Sequence, residues 1–162
     1  MIHAVKYHKQ WNVAEHLAKR LLRQERAQKL LDEVDLVVPV PMHWWRQVLR
    51  GFNQAEVIAR TLARPFRLPV VSAVTRVTNT PSQTGFDSRA ARARNVKDCF
   101  RLDRPDLIAG KRVLVVDDVM TTGATLRAVA MCLGDAEPES IDAMVIASVS
   151  PSHSSTAPVK LK

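Results

Sequence analysis

The chain is short of cysteine, of long apolar runs and of acidic charge, and each shortage excludes something. Cys99 and Cys132 are the only cysteines among 162 residues, and neither belongs to a CxxC pair. A disulfide framework or a Cys-rich zinc site therefore cannot be read here, and both thiols are expected to be reduced residues of the core or its boundary. Apolar runs fall far short of the ~20 residues a membrane span needs. The opening MIHAVKYHKQW has no secretory h-region, so a cytoplasmic location without membrane insertion is expected. No internal repeat is visible. Acidic residues number 16 against 24 lysines and arginines, for a formal charge of +8. That balance implies an anionic partner, which nucleic acid, pyrophosphate-bearing metabolites and acidic proteins would all satisfy. With 46% hydrophobic and 25% charged residues, the length suits one globular domain with a sizeable core.

What is present is concentrated in residues 111–126, KRVLVVDDVMTTGATL. The apolar, mostly β-branched run 113–116 predicts a fully buried parallel strand. It delivers Asp117 and Asp118 to the carboxyl end of that strand, where open α/β sheets place ligands. Thr121, Thr122, Gly123, Ala124 and Thr125 follow as a turn of small and hydroxylated residues, and Leu126 opens a helical pattern through Ala130 and Leu133. Such a turn lets backbone N–H groups converge at a helix N-terminus and suits a phosphate. Two carboxylates beside it would repel that phosphate unless a neutral or cationic group lay between. Ribose hydroxyls and Mg²⁺ both fit that gap, so the stretch describes a sugar-phosphate site.

Taken in order, Asn12 and Glu15 predict a capping box ahead of a helix whose apolar stripe is Ala14, Leu17, Ala18, Leu21 and Leu22. Lys6 and Tyr7 would precede it in a short segment, where His3 and His8 lack the carboxylates or cysteines of a metal site. DLVVPVP is a second buried strand, and Asn53 should cap a helix through Ala55, Val57, Ile58 and Leu62. Between them, Trp44 and Trp45 sit beside Arg46 and Arg50. The tryptophans could stack bases of a nucleic acid, pack a loop or suit a homodimer interface. If this strand neighbours the one before Asp117, Arg50 and the loop amides face the same crevice. Residues 68–78 hold a strand or two. TPSQTGFDSRAARARNVKDCF then gathers Arg89, Arg92, Arg94 and Lys97 beside Gln83, Thr84 and Asn95. It is either a mobile basic flap or a solvated basic helix with its loop. SIDAMVIASV would extend the parallel sheet, and residues 150–162 should be a flexible tail.

VLVVDDVMTTGATL resembles the signature of the type I phosphoribosyltransferases, which bind 5-phosphoribosyl-1-pyrophosphate (PRPP). KY near the start, DLVVPVP, RGFNQA, and TPSQTG followed by SRAARARNVKDCF extend the resemblance, from about residue 2 to residue 149, to the ComF/GntX branch. Members of that branch are described as amidophosphoribosyltransferase-like or competence proteins, several of them linked to uptake of DNA by bacteria. Many carry an N-terminal zinc-binding segment of paired CxxC motifs, which this sequence does not contain.

The resemblance implies an α/β fold: a mainly parallel, Rossmann-like sheet flanked by helices, with a small flap or hood. Residues 1–149 would form one domain with its flap at about 79–98. Asp117 and Asp118 would be the catalytic pair holding the ribose hydroxyls and, through them or water, Mg²⁺. Residues 121–125 would wrap the 5-phosphate, and Lys6, Val40 and Arg50 would serve the pyrophosphate. Gln83, Thr84, Arg89, Arg92 and Asn95 would belong to the flap. The implied reaction displaces pyrophosphate from PRPP by a nitrogen nucleophile. In purine-salvage relatives an Asp often stands where Thr121 does, so an already activated nucleophile such as ammonia or a small amine is expected. Two rivals accompany it: a non-catalytic module of the same fold binding single-stranded DNA or a competence partner, and a PRPP sensor without turnover.

Overall fold

The computed structural model describes residues 2–42, 48, 51–77, 99–148 and 159–160. In chain order its elements are helix α1 (Ile2–Leu21), α2 (Glu25–Glu33), strand β1 (Leu36–Pro39), α3 (Gln54–Ala63), β2 (Val74–Arg76), β3 (Phe100–Leu102), β4 (Arg112–Met120), α4 (Ala124–Gly134), β5 (Ser140–Ser148) and β6 (Val159–Lys160). β-Branched residues in unbroken apolar runs fit a strand buried on both faces, and β1 and β4 are such strands. They pair in parallel with Val37 opposite Leu114, and β4 pairs in parallel with β5 with Val115 opposite Ala143. The sheet order is β1, β4, β5, β6.

Alternate side chains of β4 feed two cores. Val113 and Val115 pack with Leu126, Val129 and Leu133 of α4, while Leu114 and Val116 pack with Leu31 of α2 and Ile58 and Leu62 of α3. Each fully buried side chain of this size contributes about 1.5–3 kcal/mol, so the β4 centre anchors both layers. The result is a mainly parallel sheet with helices on both faces, the expected fold class. At the opposite end of the strands from the aspartates, Asp35 accepts from the Arg112 backbone N–H at 2.8 Å and from its Nη2 at 2.7 Å. That clamp sets the register of β1 against β4.

Two expectations change. Helix α1 runs through Asn12, so the capping box is not formed and Lys6 and Tyr7 lie inside the helix. Residues 2–11 contain no Gly or Pro to break the helix. Glu15 pairs with Lys19 at 2.6 Å instead of reaching back to a cap. Secondly, β4 continues past the aspartates to Met120, and α4 opens at Ala124 rather than Leu126. Continued pairing of Val119 with Ala147 and Met120 with Ser148 holds the extension straight. Val159 and Lys160 pair antiparallel with Ala143 and Asp142.

Candidate functional site

The site arises because β1 stops where β4 does not. Their pairing ends at Pro39 opposite Val116, with a last hydrogen bond from Val40 N–H to the Val116 carbonyl at 2.8 Å. Proline cannot carry the ladder further, so the chain leaves the sheet and the edge of β4 beyond Val116 faces a gap. Asp117 and Asp118 line that gap, a cleft of about 250 Å³ walled also by Val40, Asn53, Arg76 and Thr125. Asn53 caps α3 by accepting from Ala55 N–H at 3.1 Å, as its sequence predicts.

Neighbouring carboxylates in a partly closed cleft cannot both ionise freely. Burial pushes the Asp117 carboxyl up to about 7, and the charge of Asp118 adds to the rise. The Asp118 backbone N–H, donated to Asp117 Oδ1 at 2.9 Å, and the nearby Arg76 cation pull the other way. Asp118 itself accepts from Val119 N–H at 2.7 Å. Asp117 is thus poised to hold a proton near neutral pH, and the remaining lone pairs of the two carboxyls can accept from a hydroxyl or bind a cation.

Arg76 is the residue sequence reasoning missed. It ends β2, stacks its guanidinium 5.6 Å from the centre of the Phe100 ring, and enters the cleft opposite the aspartates. Its Nε is buried and has no hydrogen-bond partner among the described residues. A guanidinium lining a cleft is a natural partner for an arriving anion, through charge-assisted hydrogen bonds. The available signal was a cation within the apolar run LPVVSAVTRVT.

The turn after β4 sits at the same end of the sheet. Gly123 adopts a left-handed φ of +72° and starts α4, whose first N–H, that of Ala124, is donated to Thr122 Oγ1 at 3.4 Å. Arg127 reaches back from α4, its Nη2 donating to the Thr122 carbonyl at 2.8 Å. Thr121 and Thr122 are exposed, Gly123 and Ala124 are half-buried, and Thr125 alone of the five lines the aspartate cleft.

Of the other expected site residues, Val40 lines the cleft, but its N–H is bonded to Val116 and its carbonyl accepts from Asn53 Nδ2 at 3.0 Å. It shapes the wall and offers no free backbone donor. The side chain of Lys6, and Arg50, Gln83, Thr84, Arg89, Arg92 and Asn95 entirely, lie outside the described residues, as do Trp44 and Trp45. Among the described residues no group of three or more His, Cys, Asp or Glu side chains could hold a metal. Two carboxylates do fit Mg²⁺, which is ordinarily held by one or two carboxylates plus ligand oxygens and water. No helix among the described residues is long and apolar enough to cross a membrane.

The phosphoribosyl transferase domain model matches residues 9–160. The chain is 36% identical over 137 residues to the DNA utilization protein YhgH of Escherichia coli (strain K12), covering 82% of this chain and 59% of that protein. It is 33% identical over 138 residues to competence protein F of Haemophilus influenzae, covering 82% of this chain and 60% of that protein. The chain thus spans about three fifths of the length of these relatives. A solved structure of the allosteric regulatory enzyme of purine biosynthesis superposes with a TM-score of 0.53 at 19% identity, over 85% of this chain and 25% of that one, which is a likeness of fold.

Proposed function

This chain belongs to the phosphoribosyl transferase domain family, in the ComF branch of the type I phosphoribosyltransferases, and on that premise we propose that it binds PRPP with Mg²⁺ and transfers the phosphoribosyl group to a nitrogen nucleophile, releasing pyrophosphate. The observation that carries the reading is the cleft that joins an acidic pair to the cationic side chain of Arg76. Few ligands want both. A ribose offers hydroxyl donors to carboxylates, and a pyrophosphate on its C1 offers oxygens to a guanidinium.

In this reading Asp117 and Asp118 accept from the ribose 2- and 3-hydroxyls, while the turn at residues 121–125 and the start of α4 receive the 5-phosphate. Hydrogen bonds to a charged group contribute about 1.5–3 kcal/mol each against roughly 0.3–1 kcal/mol for the helix dipole, so the amide and hydroxyl donors dominate there. Arg127 holds the Thr122 carbonyl and so keeps that turn in shape. Bound Mg²⁺, held by ligand oxygens and the Asp117 and Asp118 carboxylates, would neutralise the charge on pyrophosphate. As the C1–O bond breaks, positive charge grows on the sugar within reach of the carboxylates and negative charge grows towards Arg76. The work is fixed electrostatics in a site partly screened from water. The nitrogen lone pair forms the new C1 bond and one N–H proton passes to the departing pyrophosphate. Residues 79–98 would serve as a basic flap over this exchange.

The printed names of the relatives, DNA utilization protein and competence protein, support a role linked to DNA uptake. Thermal-shift titration of wild type and Asp117→Asn/Asp118→Asn with PRPP and Mg²⁺ tests the binding. Ligand at 100 times its dissociation constant should add about 2.7 kcal/mol to wild type and much less to the double variant. Equal responses would remove the acidic pair from the site. A steep salt-dependent affinity for single-stranded DNA with no response to PRPP would favour a non-catalytic module instead.

A further inference from the structure

The apolar stripe of α1 is only half covered. Ala14, Ala18 and Leu21 are buried, yet Leu17 is 37% and Val13 57% exposed. With Ile58 of α3, Val119 of β4 and Ile146 of β5, these two line a second cavity of about 380 Å³ whose walls are overwhelmingly apolar. Its two polar residues are Gln54 and Asp118, and both also line the aspartate cleft. The two cavities therefore meet at one polar partition on the carboxyl edge of the sheet.

We propose that this second cavity is the subsite for the acceptor, and that the acceptor is an amine carried on an apolar, single-ring-sized body; the assignment rests on the phosphoribosyl-transfer reading above. Three observations select that chemistry. The volume lies in the range of small-ligand pockets rather than of a surface dimple. Among the described residues no cation lines it, so it suits a neutral amine better than a phosphate or carboxylate. The one charge among its described lining residues is the Asp118 carboxylate, which accepts an N–H of the neutral amine and directs its lone pair towards the sugar. Ammonia would need no apolar walls. The amine lone pair makes the C1–N bond, the C1–O bonding pair leaves with pyrophosphate, and pyrophosphate takes the N–H proton.

The test uses the full chain with benzylamine as probe, and two variants, Leu17→Trp and Val13→Trp, in which an indole fills the cavity from exposed positions outside the core. Saturation-transfer NMR should detect benzylamine on wild type and show at least about tenfold weaker binding to both variants. Pyrophosphate release from PRPP and Mg²⁺ should be about tenfold faster with benzylamine than with an equal concentration of free ammonia. The Trp variants should lose that advantage while keeping the thermal stabilisation by PRPP and Mg²⁺. No binding to wild type, or equal binding to all three proteins, overturns the subsite. Benzylamine bound but no better than ammonia overturns its assignment to the acceptor and leaves phosphoribosyl transfer standing. Benzylamine bound while PRPP neither stabilises the protein nor releases pyrophosphate overturns the transfer reading, and the acceptor role with it.

Discussion

Asn53 Nδ2 donates a 3.0 Å hydrogen bond to the Val40 carbonyl, tying the start of α3 to the point where β1 leaves the sheet. The same side chain accepts from Ala55 N–H. One amide thus caps a helix and fixes a wall of the cleft. Asn53→Ala should lower stability by about 1–2 kcal/mol in denaturant unfolding, the usual cost of a lost cap. Asn53→Asp keeps the acceptor but not the donor, and should recover most of that stability without recovering ligand affinity. Equal affinity for PRPP in the Asn53→Asp variant and wild type would show that the Val40 tie does not shape the site.

Arg76 is held for a ligand more than for folding. Among the described residues its Nε has no hydrogen-bond partner, and its guanidinium meets the Phe100 ring, a contact worth about 0.5–2 kcal/mol, and the charge of Asp117. Arg76→Met, which retains the stem, should change stability by less than about 1 kcal/mol while reducing the affinity for Mg²⁺–pyrophosphate at least about tenfold, as expected for loss of a charge-assisted hydrogen bond. Calorimetric titration with pyrophosphate checks it. The same variant removes a cation that pulls the Asp117 carboxyl down, so Asp117 should titrate still higher.

Two carboxyls give the stability profile opposite slopes. Asp117 titrates near 7 when folded and about 3.9 when unfolded, so its favourable contribution is complete below about pH 4 and is lost as pH rises through 7. Asp117→Asn should therefore be more stable than wild type at pH 8, by a few kcal/mol at most, with the difference closing towards pH 4. Asp35 runs the other way: the Arg112 guanidinium and backbone N–H hold its carboxyl down at about 2. Its contribution is present above about pH 4 and is lost between about 4 and 2, so Asp35→Asn should flatten the acid limb of the profile. Urea midpoints from pH 2 to 8 check both variants.

Gly123 is required twice over at the start of α4. Its φ of +72° disfavours any side chain, and an added Cβ would meet Arg127 Nη1 at 3.0 Å. Gly123→Ala should cost about 1–2 kcal/mol of stability from the left-handed backbone alone. It should also displace the Arg127 bond to Thr122, weakening PRPP affinity. Adding Arg127→Ala relieves the collision but not the backbone cost, so stability should recover only in part. Full recovery in the double variant would assign the whole penalty to the side chain.

The strand that carries the aspartates, its parallel neighbour DLVVPVP and the Asn53 cap were all legible in sequence, because each depends on a local pattern: unbroken apolar runs, a proline that stops a ladder, a short polar side chain ahead of a helix. The capping box at Asn12 failed for the complementary reason. A cap motif marks a helix start only where the residues before it resist helix, and here they do not.

What the sequence determined by itself was the family, the fold class and the local order of strand, acidic pair, turn and helix at residues 111–134, since these rest on residues adjacent in the chain. Only the tertiary structure decided that Arg76, 41 positions before Asp117 by their numbers, shares its cleft, that burial raises one aspartate and not the clamp at Asp35, and that α1 leaves an apolar cavity beside Asp118. Those facts depend on which distant elements pack together and on how much water they exclude, and no pattern of neighbouring residues encodes either.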